Sequence, residues 1–360
     1  MRNIRSKTSR LAQGGVLAGA VALALTAGPA RALDIVPTFD TSITSSPNAT
    51  QIEGSINSAI SAIDNLYSNA ITIPVIFTNN SGAAGNLLST DQFYNTLSYS
   101  SYVADLQADS TANPSNTTLS TAIAHLSKGN DANGAQNLAL SSALYALLTG
   151  GSAPTTGSGN APAININSNV TNWSYTQPTS SSDFDLTGGL EHELDEVLGA
   201  GGAGSTLNSL GGSCINDSNG FFCNKVGPLD LYRYSASNTP SFSATSENNP
   251  ISYLSVDGGV TNIAYFNQNQ DGDMADFAGN VADGAANQCG TVLAGGLGGE
   301  LIQNAFNCTG RYQPYTADSP EVAMQESIGW DATAVPEPAS LALLGMAAFG
   351  IAGLRRRGTR

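Results

Sequence analysis

Between residues 50 and 68 the apolar positions Ile52, Ile56, Ile60, Ile63 and Leu66 recur every three or four residues. That spacing puts them on one side and predicts an amphipathic helix. Ile71–Phe77 follows at once, rich in β-branched residues, and predicts a strand. Asn79–Gly85 reads as a Gly/Asn turn. Further helices are predicted over 90–107, 117–127 and 135–148. Gly150–Ala161 is rich in Gly, Ser, Thr and Pro and marks a loop or junction. Ala163–Val170 alternates as a strand does, and Asp183–Leu186 leads into a helix at 187–199. Six glycines in Gly199–Gly212 make the next stretch irregular. From 213 to 335 the pattern breaks into loops with short strands, among them Leu229–Tyr234, Tyr253–Val256 and Ile263–Phe266. A last short helix falls near Pro320–Gly329. The body divides for description at 33–150 and 151–334, a length that suits one or two domains.

The two ends follow different rules. A basic stretch, an apolar run Gly14–Ala27 and the small-residue pattern Ala30-x-Ala32 make residues 1–32 a secretory signal peptide, cut after Ala32 by signal peptidase. The run is too short for a comfortable membrane span. Residues 335–360 hold Val335-Pro336-Glu337-Pro338, an apolar stretch Leu341–Leu354 and Arg355-Arg356-Arg357. These three parts resemble the PEP-CTERM sorting signal of Gram-negative bacteria. The resemblance implies an inner-membrane hold, processing by an exosortase, and release or attachment at the cell surface.

Setting the ends aside changes the charge picture. The formal net charge is −15, but nine of the 13 Lys and Arg lie in the two ends. Leu33–Val335 keeps four basic residues against 27 of the 28 acidic ones, a net of −23. With no basic cluster this body excludes a general nucleic-acid or anionic-lipid binder. At 41% apolar it still builds a core, and at 11% charged it is no coiled coil. Four cysteines in an exported chain, spaced as Cys214/Cys223 and Cys289/Cys308, suggest two local disulfides. A four-cysteine zinc site is the rival, but no Cys-x-x-Cys occurs.

The candidate chemistry sits in Gly189-Leu-Glu-His192-Glu193-Leu-Asp-Glu196-Val-Leu-Gly199. On a helix Leu190, Leu194, Val197 and Leu198 share one side, and His192 and Glu196 lie opposite, one turn apart. Residues at i and i+4 reach a common point, so this pair suits a metal, and a carboxylate is a normal zinc ligand. Glu193 flanks the pair as a candidate general base. For a third ligand Asp230 is the first choice and Asp257 another, while Asp195 points away from the His192–Glu196 midpoint. Tyr232 or Tyr234 suits an oxyanion donor or a packed strand residue. Asp271, Asp273 and Asp276, with Asn267 and Asn269, form an acidic loop that suits calcium or a solvated turn; EF-hand spacing is absent. His125 lies in an apolar helical stretch and reads as packed; Met274 and Met324 suit a methionine turn beneath a metal or, more simply, ordinary core positions.

The His192 helix resembles the zinc-protease helix His-Glu-x-x-His-x-x-Gly, with Glu196 in place of the second histidine and Gly199 matching the glycine. The metzincin third histidine would fall at Gly202 and is absent. Together with Pro228–Ser235, Ser255–Gly259, Asp271–Asp276 and Met324–Asp331, the ordered set is similar to a family of exported, PEP-CTERM-anchored metalloproteases. The resemblance covers roughly 40–332. It implies an α+β zincin-like (metzincin- or matrixin-like) fold with a mixed sheet, an active-site helix and a loop-rich C-terminal subdomain. It also implies zinc as cofactor and a protein or peptide substrate. Two functions follow as expectations. One is a surface-sorted metalloendopeptidase using His192, Glu196 and Asp230 as ligands and Glu193 as base. The other is a non-catalytic surface or matrix protein on the same scaffold, associated with extracellular polysaccharide.

Overall fold

The computed structural model describes residues 33–82, 86–126, 137–151, 161–178, 180–207, 225–242, 252–268, 272–278, 301–311 and 314–333. The chain enters as β1 (Leu33–Phe39), whose Leu33 and Ile35 are buried while Asp34 and Val36 face out. A single helical turn, α1 (Thr41–Thr44), capped by Asp40, leads to α2 (Ala49–Leu66). Ile52, Ile56, Ala59, Ile60 and Ile63 form the buried stripe of α2. Each fully buried isoleucine stabilises by roughly 1.5–3 kcal/mol. That outweighs the poor helix propensity of the Ser and Asn residues on the outer face. The stripe packs against the later helix α6.

β2 (Ile71–Asn80) alternates Ile73, Val75 and Phe77 inward and pairs in parallel with β1. Pro74 lies within it, but β6 joins only from Ile76 onward, so among the described residues no strand pairs with Pro74 on that side. Next come β3 (Leu88–Asp91), β4 (Tyr94–Ser98), α3 (Tyr99–Ala112) and α4 (Thr117–His125). They precede β5 (Asn137–Ser141), α5 (Ser142–Thr149) and β6 (Ala163–Asn167). The main sheet has the order β1-β2-β6-β3, with the first three strands parallel and β3 antiparallel at the edge.

The two predicted helices over 90–107 and 135–148 both begin as strands instead. β4 pairs antiparallel with β5, and β5 pairs in turn with β9 (Lys225–Val226). Leu138, Ala139, Leu140 and Ser141 are all buried, so two-sided burial overrides the helical preference of Leu and Ala. Strands from both sides of residue 150 therefore share two sheets.

Short strands β7 (Trp173–Ser174) and β8 (Phe184–Asp185) pair in parallel and deliver the chain to α6 (Leu186–Leu198). The remaining strands are β10 (Arg233–Ala236), β11 (Thr239–Pro240), β12 (Tyr253–Leu254) and β13 (Ala264–Tyr265). They form a second four-stranded sheet. The last helix is α7 (Pro320–Ser327). Beyond it Trp330 is fully buried, stacks on Tyr67 at 5.9 Å and donates its indole N–H to Leu198 O at 3.0 Å. Asn116 and Asn69 hold the Asp331 carboxylate, and Thr333 N donates to Leu66 O at 2.7 Å. The end of the chain thus closes over the ends of α2 and α6. The fold is α+β with a mixed main sheet.

Candidate metal centre

α6 starts where Asp185 accepts a hydrogen bond from Thr187 N, and it stops at Gly199, whose φ of +105° ends the helix in the left-handed region. Its apolar stripe Leu190, Leu194, Val197 and Leu198 is fully buried, as predicted. The opposite side is buried too: Glu191, Glu193 and Glu196 are each only 7% exposed, and Asp195 is 0% exposed. A solvated helix face does not look like this, because buried carboxylates are rare unless paired or ligating.

Gly189 lets β3 lie against the helix, since a Cβ there would come 2.7 Å from Leu88 Cδ1. That approach brings Thr90 Oγ1 into a short hydrogen bond with the Glu193 carboxylate. After α6 the 3-10 turn Gly201–Gly204 folds back beneath it, and Gly202 N donates to Glu196 Oε1 at 3.1 Å. A Cβ on Gly202 would sit 2.5 Å from Glu196 Oε1 and 2.6 Å from Asp273 Oδ2, so both oxygens occupy space that only glycine leaves.

His192, Glu196 and Asp276 converge, with one ligand atom from each lying within 4.8 Å of the others. His192 Nε2 is 3.8 Å from Glu196 Oε1 and 3.6 Å from Asp276 Oδ2. Ligand bonds of about 2.0–2.2 Å place neighbouring donors about 3.3–3.6 Å apart in a tetrahedron, so small adjustments seat a divalent cation. The His192 ring is set for it. Nδ1 donates to Ile302 O at 3.0 Å, which leaves the Nε2 lone pair facing the carboxylates. Burial pushes the Glu196 carboxyl well above the usual range, and the neighbouring Glu193, Asp273 and Asp276 carboxyls push it further. Asp276 is raised well above its usual range by burial and then by Asp273, against hydrogen bonds from Gln303 and Gly202. Glu193 is raised by burial, with His192 and Thr90 opposing. These carboxyls crowd a site that a cation would relieve. The donor set of one imidazole and oxygen ligands fits a divalent metal.

Asp230 is not brought to this point. Its carboxylate accepts from Ser205 Oγ at 2.6 Å, Thr206 N at 3.1 Å and Gly227 N at 2.8 Å, and so pins one turn against another. Asp276, eighty residues past Glu196, stands where Asp230 was expected. Asp257 closes its own turn through Ser255, Val260 and Thr261; burial works upward on its carboxyl, but these bonds hold it at about 2. Asp195 faces away, as predicted, and accepts from Tyr315 Oη at 2.8 Å and Gln325 Nε2 at 3.1 Å. Tyr232 is buried beside Tyr102. His125 corrects its reading: it is exposed at the last turn of α4, with Nδ1 at 2.8 Å from Thr121 O.

In the acidic loop Asp276 turns inward and is buried, while Asp273 stays exposed. Buried Arg233 donates to Met274 O and Asn267 O and lies 4.7 Å over the Phe266 ring, clamping the stretch that carries Asp273 and Asp276. Asp271 and Asn269 lie outside the described residues, as do Cys214, Cys223 and Cys289, so both expected disulfides fall there; Cys308 is buried. Met274 and Met324 are fully buried. Thr90, Gln303 and Glu321 belong to the site or its support and carry no local sequence signal. Asp273 and Asp276 had one, as an oxygen-rich loop.

Beside the point where the His192, Glu196 and Asp276 donors meet, a cleft of about 460 Å³ opens between β3 residues Leu88–Thr90, the polar side of α6 and Phe306, Asn307 and Arg311. Behind it Glu191 carries a testable cost. Burial raises its carboxyl from 4.5 to about 8, helped by Asp185, Asp195 and Glu321. A raised carboxyl holds its proton in the folded chain where the unfolded chain has lost it. Its contribution is therefore intact below about 4.5 and lost as pH climbs to about 8. Glu191→Gln is expected to flatten this fall and to raise the melting temperature at pH 8. Thermal denaturation between pH 5 and 8 checks it, and an unchanged slope would refute it.

Residues 334–357 match the PEP-CTERM protein-sorting motif, covering Val335, Pro336, Glu337 and Pro338, which lie outside the described residues. No curated protein and no solved structure matches the chain. The motif makes this an exported, membrane-anchored surface protein that is processed by an exosortase during export. No helix among the described residues is long and apolar enough to cross a membrane.

Proposed function

We propose that this surface-sorted protein is a metalloendopeptidase of zincin-like design, with His192, Glu196 and Asp276 as metal ligands. The observation that carries this reading is the convergence of those three donors around one point beside a buried, hydrogen-bonded Glu193. Bound there, a divalent cation such as zinc would supply Lewis acidity to a carbonyl and to water. The chain's own residues do the rest. Glu193 takes a proton from the attacking water as the new C–O bond forms, then hands it to the leaving amine as the C–N bond breaks. Thr90 Oγ1 fixes the carboxylate that makes both transfers. Ile302 O holds the His192 ring in the tautomer that keeps Nε2 free to ligate. β3 is the edge strand of the main sheet among the described residues, and it lines the cleft. Such an edge suits an extended peptide laid alongside it.

Metal analysis of the protein recovered from cells tests the premise. After loading with zinc, about one equivalent per chain is expected, falling to background in His192→Ala. Wild-type protein that retains no metal after loading would sink the reading and leave the non-catalytic surface role in its place.

A further inference from the structure

A buried amide sits at the point where the ligand atoms meet. Gln303 is 0% exposed, and its Nε2 lies 3.1 Å from His192 Nε2 and 3.0 Å from Asp276 Oδ1. His192 Nδ1 already gives its proton to Ile302 O, so Nε2 accepts, and the amide nitrogen donates to both partners. The other amide atom, Oε1, is buried and accepts nothing among the described residues. An orphaned buried carbonyl costs about 1–3 kcal/mol. The amide nitrogen faces both partners, and Oε1 points at neither.

A cation reverses that preference. The lone pairs of His192 Nε2 and Asp276 become committed to it, and the amide N–H groups would face positive charge. An amide carbonyl oxygen is by contrast a good ligand for a hard divalent ion. The geometry points to Gln303 as a further ligand of the cation held by His192, Glu196 and Asp276, engaged through Oε1 once its amide turns over. This inference rests on the metal-site reading above and deepens it.

The surroundings are built for this amide. Gly201 has φ of +52°, and a Cβ there would overlap Gln303 Nε2, lie 2.7 Å from Cδ and 2.9 Å from Asp276 Oδ1. The backbone of Gln303 is anchored from α7, where fully buried Glu321 accepts its N–H at 3.0 Å. Two consecutive residues thus grip the imidazole from both edges, Ile302 through its carbonyl and Gln303 through its amide. The resulting set is one nitrogen and three oxygens. It is harder than a histidine-rich site and shifts preference from zinc toward ions such as Mn²⁺.

The test compares wild type, Gln303→Met and Gln303→Glu as full-length protein, titrated with Mn²⁺, Zn²⁺ and Co²⁺ after metal removal. Gln303→Met fills the same space without the oxygen. It is expected to lose about 10-fold or more in Mn²⁺ affinity, to lose less for Zn²⁺, and to alter the visible Co²⁺ spectrum. A merely structural amide would weaken both ions alike and leave the Co²⁺ spectrum unchanged, and that result would overturn the inference. So would Gln303→Met binding Mn²⁺ as wild type does; the His192 site would then survive without Gln303. Gln303→Glu keeps an oxygen in place and is expected to bind Mn²⁺ at least as tightly as wild type. Weaker binding by that variant would overturn the inference even if the methionine variant failed to fold. Wild type that binds none of the three ions would remove both the inference and the metal-site reading.

Discussion

Replacing Glu193 by glutamine is expected to cut peptide hydrolysis by about 10²–10⁴-fold while metal content and melting temperature stay near wild type. The side chain is 7% exposed, so a substitution that changed its size would disturb the packing, but glutamine matches it. The Thr90 hydroxyl still finds an acceptor in the amide oxygen. What disappears is the capacity to receive a proton and return it. The separation of readouts is the point of the experiment. Loss of turnover with the metal retained assigns the proton transfer to Glu193. Unchanged turnover in a protein that keeps its metal would remove Glu193 from the mechanism. Loss of metal together with turnover would make Glu193 a ligand.

The second large effect lies where no chemistry happens. Gly227→Ala is expected to destabilise the fold by more than about 4 kcal/mol, the range reserved for mutations that breach a named constraint. A Cβ at Gly227 would overlap the carbonyl oxygen of Gly204 and come within 2.5 Å of Ser205 Cα. Both obstacles are main chain, so no rotamer change relieves them. Asp230 makes matters worse by drawing the two turns together through Gly227 N, Ser205 Oγ and Thr206 N. The displaced turn continues into Gly202, whose N–H holds Glu196. Thermal denaturation with metal analysis checks the prediction. A wild-type melting temperature would show that the 204–206 turn yields more readily than its packing implies.

Long periodic elements were readable from the sequence because their partners matter less than their own pattern. α2 and β2 announce themselves through isoleucine spacing, and α6 lies within one residue of the predicted 187–199. β5 misled because Leu138, Ala139 and Leu140 are all inside, so alternation vanished and Leu/Ala composition suggested a helix. β1 was not foreseen, since Pro37 interrupts its short alternation and its pairing with β2 is what makes it a strand. The site divides in the same way. His192, Glu193 and Glu196 share one helix, and i to i+4 geometry is local. Asp276 reaches them only because Arg233 clamps its loop, and Gln303 because Glu321 anchors its backbone. In the sequence Asp276 shows only as part of an oxygen-rich loop, and nothing distinguishes Gln303 from any polar loop residue until the chain is folded. Asp230 suits a ligand in the sequence as a carboxylate in a short strand-like run downstream of the helix, but its bonds to two turns explain its burial without a metal.

The closure of the chain at Trp330–Thr333 bears on how the protein meets its membrane. Thr333 is bonded to the end of α2, and the sorting motif begins at residue 334. Thr333 stands eight residues before the apolar stretch that starts at Leu341, a tether of at most about 29 Å when fully extended. A load applied at the tail is therefore borne first by the staple across Tyr67, Trp330 and Leu198, and through Leu198 by the helix that carries His192 and Glu196. The tether and α6 are mechanically in series, so tension at the membrane would be passed to that helix.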